Sequence, residues 1–447
     1  MSAGALAIVG GRIVTPDGIV DSDLLVLDGR IAEIAPRAAD DVPDAIDARG
    51  CLVLPGAVDP HAHALTDLHA VSVGAAHGGT TTILTFTLPT PGESPLDAFV
   101  RARDECTPRS VVDVGVHGSY FDPRHVGIDL LERLRAEGVC GVQVFLAFPE
   151  LGLMFDDGQL YRVLRDAGSL GVPVQVQCES GPLIDALTAE LVAAGDTALR
   201  FYARSRPGAV EDEAVARTLA IAALADAPAY LVHLSTAVSL GYARAARARG
   251  APLAVEVCTH HLLLDEAVYA RQDAGRFIVG PPLRAAADVE ALWDAIRDGT
   301  VDTVGSDHSH MPPTPPPATA SFVDAPMGLP GMELRLPLVL SEGLRRGVAL
   351  RTLVDVLAAG PARAFGLYPR KGALAPGSDA DIVVWDPRSH STIDGARLHD
   401  GLGHSPYEGL AIDGAVRLTV IGGRVFARDG VETGEATGSR FIAPSRV

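Results

Sequence analysis

LPGAVDPHAH, residues 54–63, reads as an apolar strand interrupted by Pro-Gly that ends in two histidines one residue apart. In an extended strand, residues i and i+2 point to the same side, so His61 and His63 are placed to grip one cation. Imidazole suits zinc and similar divalent ions. A bare His-x-His pair is weak evidence, and its weight depends on the strand it ends. Downstream, short β-rich runs alternate with helical ones. The candidate strands are Leu52–Val58, Thr80–Phe86, Val112–His117, Val142–Leu146, Val174–Cys178, Tyr230–Leu234, Leu253–Val257 and Asp302–Ser306, eight in all. Between them, IDLLERLRAEG (128–138) and EDEAVARTLAIAALAD (211–226) carry apolar residues at three- and four-residue spacing, as amphipathic helices do. Eight buried strands alternating with helices predict a (β/α)8 TIM-like barrel, an α/β fold whose chemistry sits at the C-terminal strand ends.

Two other strand ends carry ligand chemistry. The eighth ends in TVGSDHSH, with Asp307, a carboxylate able to bind a cation and take a proton from water. The sixth ends in YLVHLST, with His233. Alone, each has a blander reading: a turn or cap for the aspartate, a satisfied structural side chain for the histidine. Together with His61 and His63 they place candidate ligands on one rim of a barrel.

Outside the barrel the texture changes. Residues 5–34 alternate apolar segments with Gly and Asp turns, and the same texture returns in GALAPGSDADIVVWDP and AVRLTVIGGRVFARDG. A small β-sandwich built from both chain ends is expected, from residues 1–54 and 366–435. The barrel then occupies 55–365, and a C-terminal tail 436–447. MPPTPPPATA (311–320) cannot continue a helix or strand, and is read as a long loop above the eighth strand.

Of 447 residues, 47% are hydrophobic and 21% charged, and 37 Lys+Arg against 56 Asp+Glu give −19. That balance argues against nucleic acid and anionic membranes as partners. The one basic run, YARAARARG (242–250), reads as a solvated helix face. Cys51, Cys106, Cys140, Cys178 and Cys258 are few and scattered, as reduced cytoplasmic thiols are. The opening MSAGALAIVGGRIV lacks the cationic start of a signal peptide, and no apolar run is long enough to span a bilayer.

LPGAVDPHAH, AAHGGTTT, VHLSTA, FIVGPPLR, VGSDHSH, FVDAPMGLPGMEL and GPARAFGLYPRKGALAPGSDADIVVWDP follow one another in an order and spacing that resemble one branch of the metal-dependent amidohydrolase superfamily. This is the hydantoinase/dihydropyrimidinase branch, which is similar to the allantoinases and dihydroorotases. The resemblance implies a hydrolase that opens, or in reverse closes, a cyclic amide, imide or ureide, assembled as a homodimer or homotetramer. In that pattern two metals are bridged by a carbamylated lysine at the end of strand four. Here GVQVFLAF offers Gln143 instead, and the strand-five histidine is replaced by Gln177 in VQVQCESG. Four of the six usual ligand positions remain: His61, His63, His233 and Asp307.

Both losses fall on the second metal. The first keeps His61, His63 and Asp307, enough for one catalytic zinc per chain with an open coordination position. The resemblance makes Asp307 the proton carrier and places His233 near the carbonyl oxygen. Three substrate-contact positions also depart from the pattern: a tyrosine becomes Phe148, a serine Gly280 and an asparagine Met327. With Gln143 and Gln177 these are expected to shape a larger, more apolar pocket. Two further readings stay open: a non-catalytic scaffold or regulatory partner, and a one-metal deaminase.

Overall fold

The computed structural model describes residues 5–38, 42, 45–90, 92–309, 315–434 and 440–445. Eight parallel strands form the barrel: Ala57–His63, Thr80–Phe86, Asp113–His117, Val142–Phe145, Val174–Gln177, Ala229–Leu231, Leu253–Cys258 and Thr303–Gly305. Strands one to three form one continuous ladder and strands four to eight another. The bridge Gly118↔Val142 joins strands three and four. His308–Ser309, just past strand eight, pairs with Ala62 and His63 and closes the ring.

The expected first strand, Leu52–Val58, proves to be two. Leu52–Pro55 belongs to a different sheet, and the barrel strand starts at Ala57 and continues to His63. The chain crosses over at Gly56, where an added Cβ would lie 2.1 Å from Thr81 Oγ1. Only glycine lets the backbone pass that close. The sixth strand is also shorter than expected: its ladder stops at Leu231, and His233 turns away with φ 38°.

Leu52–Pro55 joins a nine-stranded mixed sheet, where it lies between Leu6–Val14 and Ile382–Thr392. Strands from both chain ends therefore share one sheet over a core of Ile8, Ile13, Leu24, Val26, Val53, Ile382, Val384 and Val420. The barrel helices follow from local signals. Asp157–Ser169 opens with a capping box between Asp156 and Gln159. Gly208–Ala225 buries Val210, Ala214, Val215, Thr218 and Ala222 along one stripe.

Of the expected tail, 436–439 and 446–447 lie outside the described residues, and 440–445 pack against the barrel. Val114 N–H donates to Arg440 O, Ile442 N–H donates to Val114 O, and Ile442 is fully buried. At this N-terminal end of the barrel Lys371 is buried among Asp113, Asp379 and Asp381. Two of the three arginines in the basic run are paired, Arg244 with Asp298 and Arg247 with Asp302, and Arg249 is exposed. All five cysteines are buried and unpaired with one another. Part of the proline-rich loop, 310–314, lies outside the described residues; beyond it, Pro316 O packs against Gly275. No helix among the described residues is long and apolar enough to cross a membrane.

Candidate metal centre and its cavity

His61 and His63 leave the end of the first strand on the same side, as their spacing requires. Their Nε2 atoms lie 3.2 and 3.5 Å from Asp307 Oδ1. The ligand atoms of all three residues fall within 4.8 Å of one another. Behind His61, Nδ1 is 2.7 Å from Glu256 Oε1. Tyr230 O–H donates to the other Glu256 oxygen at 2.8 Å, and the backbone N–H of His233 donates to Oε1 at 3.2 Å. A carboxylate on Nδ1 fixes the proton there, so Nε2 presents its lone pair to the space beside Asp307. Asp59 adds a backbone brace, accepting from the N–H groups of His61 and Ser306 at 3.2 and 3.1 Å.

The electrostatics of this corner favour a positive charge. Burial disfavours a protonated His61, yet Glu256 and Asp307 on its two flanks raise its pKa to about 10. Burial pushes Asp307 up, but His61 and His63 outweigh it and hold the carboxyl well below its usual range. Two imidazoles and a carboxylate, with a second carboxylate behind, form a donor set that suits zinc with a position left open. The residues present thus fit one divalent cation. His233 stands outside the trio, its ring centroid 5.6 Å from that of His61. Burial lowers its pKa to about 3, so it is a neutral imidazole.

These groups open into a cavity of about 350 Å³. Every site residue expected from the sequence lines it: His61, His63, Gln143, Phe148, Gln177, His233, Gly280, Asp307 and Met327. Gln143 Oε1 accepts from Ser119 O–H at 2.7 Å. Gln177 Nε2 donates to Glu179 Oε2 at 2.9 Å, and Glu179 is in turn paired with Arg206 at 2.6 Å. Arg206 lies over the Phe148 ring, 5.2 Å from its centroid. At Gly280 a Cβ would stand 3.4 Å from Arg206 Nη1 and 3.5 Å from Met327 Sδ. A small side chain would fit there, and its absence widens the wall. Leu65, Phe86, Leu88, Phe145, Leu151, Leu153 and Val279 make the rest of the lining largely apolar.

Sequence reasoning missed two residues here. Glu256 sits inside the seventh strand, and the signal was a lone acidic residue within the apolar run LAVEVC. Tyr120, in the loop after the third strand, lines the cavity with its hydroxyl 3.4 Å from His63 Nδ1. A backbone signature links it to the others. Tyr120, Phe148, His233 and Asp307 all have positive φ, at 58°, 66°, 38° and 47°. Such conformations cost about 1–3 kcal/mol each for non-glycine residues and gather where side chains must be aimed.

A second buried group, Cys258, His260 and His261, lies at the end of the seventh strand, its ligand atoms also within 4.8 Å of one another. None of the three lines the cavity. Burial holds His260 down at about 4, a neutral core side chain.

Comparison with known proteins follows the same lines. The amidohydrolase family profile matches residues 52–426. A D-hydantoinase of Ralstonia pickettii is 37% identical over 451 residues, covering 98% of each chain. A D-phenylhydantoinase of Escherichia coli O1:K1 is 36% identical over 454 residues, covering 97% of each. The crystal structure of a dihydropyrimidinase from Brevibacillus agri superposes with a TM-score of 0.90 at 31% identity, over 99% of this chain and 100% of that one.

Proposed function

The chain belongs to the amidohydrolase family, and on that premise we propose that it opens, or in reverse closes, a cyclic amide, imide or ureide with one divalent cation per chain. The observation that carries this reading is the convergence of His61 Nε2, His63 Nε2 and Asp307 Oδ1 at the base of an apolar cavity. A divalent cation held by these three residues, zinc by its donor set, would polarise the amide carbonyl and acidify a water. Asp307 takes the proton from the attacking water and delivers it to the leaving ring nitrogen. His233, neutral and facing the same space, offers a ring N–H toward the carbonyl oxygen. Glu256 keeps His61 in one tautomer and orientation. Phe86, Phe145 and Phe148 exclude bulk water and accept an apolar ring substituent.

A non-catalytic scaffold would draw support from Gln143, Gln177 and Phe148. The buried Glu256 and the positive φ at His233 and Asp307 favour the enzyme, because a scaffold gains nothing from a costly arrangement that aims these groups at a cavity. The deciding experiment is elemental analysis of purified protein, followed by a panel of hydantoins, dihydropyrimidines, cyclic imides and lactams. One metal per chain and turnover of at least one ring class are expected. Two stoichiometric metals would overturn the single-cation reading. A metal-free, inactive protein would leave the scaffold.

A further inference from the structure

Addition of water to an amide carbonyl moves the C=O π pair onto oxygen, and a second hydrogen-bond donor beside the His233 ring N–H would stabilise that charge further. The hydroxyls of Thr66, Thr87, Tyr120 and Ser309 line the cavity, and that of Thr87 is already committed to Ser119 O at 3.2 Å. Phe148 has no hydroxyl. Tyr120 does, and it stands at the edge of the ligand trio, 3.4 Å from His63 Nδ1. His63 turns Nε2 toward Asp307, so a cation-holding His63 carries its proton on Nδ1. Toward that N–H the phenol oxygen is an acceptor, which leaves the phenolic hydrogen free to point into the cavity. Two neighbours hold the Tyr120 ring in this position. It packs edge-on to His63 at 6.3 Å and tilted against Phe145 at 5.5 Å between centroids. Phe145 also touches Phe148 at 5.9 Å, so Tyr120 and Phe148 flank the same ring. The left-handed backbone at Tyr120, unfavourable for an aromatic residue, is what turns the side chain inward.

We propose that Tyr120 is a catalytic residue whose phenolic O–H donates to the carbonyl oxygen of the amide being cleaved. The assignment rests on the cyclic-amide reading above. As water oxygen bonds to the carbonyl carbon, the π pair moves to the oxygen held by Tyr120 and one water proton passes to Asp307. When the adduct collapses, that pair re-forms C=O and the C–N bond breaks with its electrons on nitrogen. Nitrogen takes the proton from Asp307, and the second water proton leaves with the new carboxyl group. Tyr120 donates a hydrogen bond throughout and ends unchanged.

The test uses the metal-loaded enzyme and the best cyclic amide from the panel. Tyr120→Phe should lower kcat by about 10²–10³-fold, the loss typical of one oxyanion donor, with KM within a few-fold and metal content by elemental analysis unchanged. Adding Phe148→Tyr to that variant should recover part of kcat, because it returns a hydroxyl from the other side of Phe145. Near-isosteric 3-fluorotyrosine at position 120 covers the case in which Tyr120→Phe misfolds. A donor role shifts kcat and its pH profile, whereas a packing role leaves both in place. Full kcat in Tyr120→Phe, loss of the cation in that variant, or an unshifted fluorotyrosine profile would each overturn the assignment. Wild type that opens no cyclic amide would instead defeat the functional reading beneath it.

Discussion

The cavity rim has two sides of different chemistry. On the side of strands one, seven and eight, ionisable groups are backed by other ionisable groups: Asp307 faces His61 and His63, and Glu256 stands behind His61. On the side of strands three to five the polar groups are neutral or already cancelled. Ser119 donates to the Gln143 amide, Gln177 donates to Glu179, and Glu179 is matched by Arg206. A dication needs anionic charge close at hand, because burying a charge is costly unless it is compensated. One side supplies that charge and the other does not. On the proposed reading, the charged side of the rim holds the one cation and the neutral side has lost the means to hold a second, and each side can be tested in turn.

The largest expected effect comes from the charged side. Asp307→Asn keeps the size of the side chain but removes both the proposed proton carrier and the proposed anionic ligand. Loss of general acid–base function alone lowers rate by about 10²–10⁴-fold, and weaker cation binding adds to it. Steady-state kinetics at saturating metal, alongside elemental analysis, separates the two contributions. An activity that survives both this substitution and chelation would break the proposed roles.

Glu256→Gln probes the support behind that side and should cost less. The amide can still accept from Tyr230, but it no longer stabilises a proton on His61 Nδ1, so the ring loses its charged anchor. Partners of this kind are worth about 10–100-fold in metal affinity. A chelator competition titration should show that weakening, with activity restored by excess metal. Unchanged affinity would mean that Glu256 only fills space.

How far this was legible in the sequence follows the same division. The His-x-His pair, the strand-end aspartate and the strand-end histidine were readable because period-two geometry and strand ends fix where side chains point. The eight strands were readable from alternation. The split at Gly56 was not: Leu52–Val58 is continuously apolar, and the crossover depends on an approach to Thr81 that only folding creates. Glu256 hid because a polar residue inside a strand has no partner until the barrel brings His61 beside it. Tyr120 hid in SYFDPR, a loop without periodicity, and its direction depends on a positive φ that the sequence does not announce.

The smallest expected effect is none, and it bears on the neutral side. A bridging anion between two cations could arise if a lysine took up carbon dioxide, which requires a neutral amine. Position 143 holds a glutamine, and Lys371 is the only lysine in all 447 residues. Lys371 is buried at the opposite end of the barrel among Asp113, Asp379 and Asp381. Burial disfavours its charge, but the three aspartates prevail and raise its pKa, so the amine stays protonated and unreactive toward carbon dioxide. Added bicarbonate should therefore change neither metal stoichiometry nor turnover of the wild-type protein. The positive control is Gln143→Lys combined with Gln177→His, which restores an amine and an imidazole on the neutral side. In that variant metal content should rise toward two per chain, and only when bicarbonate is present. If wild type already answers to bicarbonate, charge reaches the strand-four side by a route these side chains do not supply, and the contrast between the two sides fails.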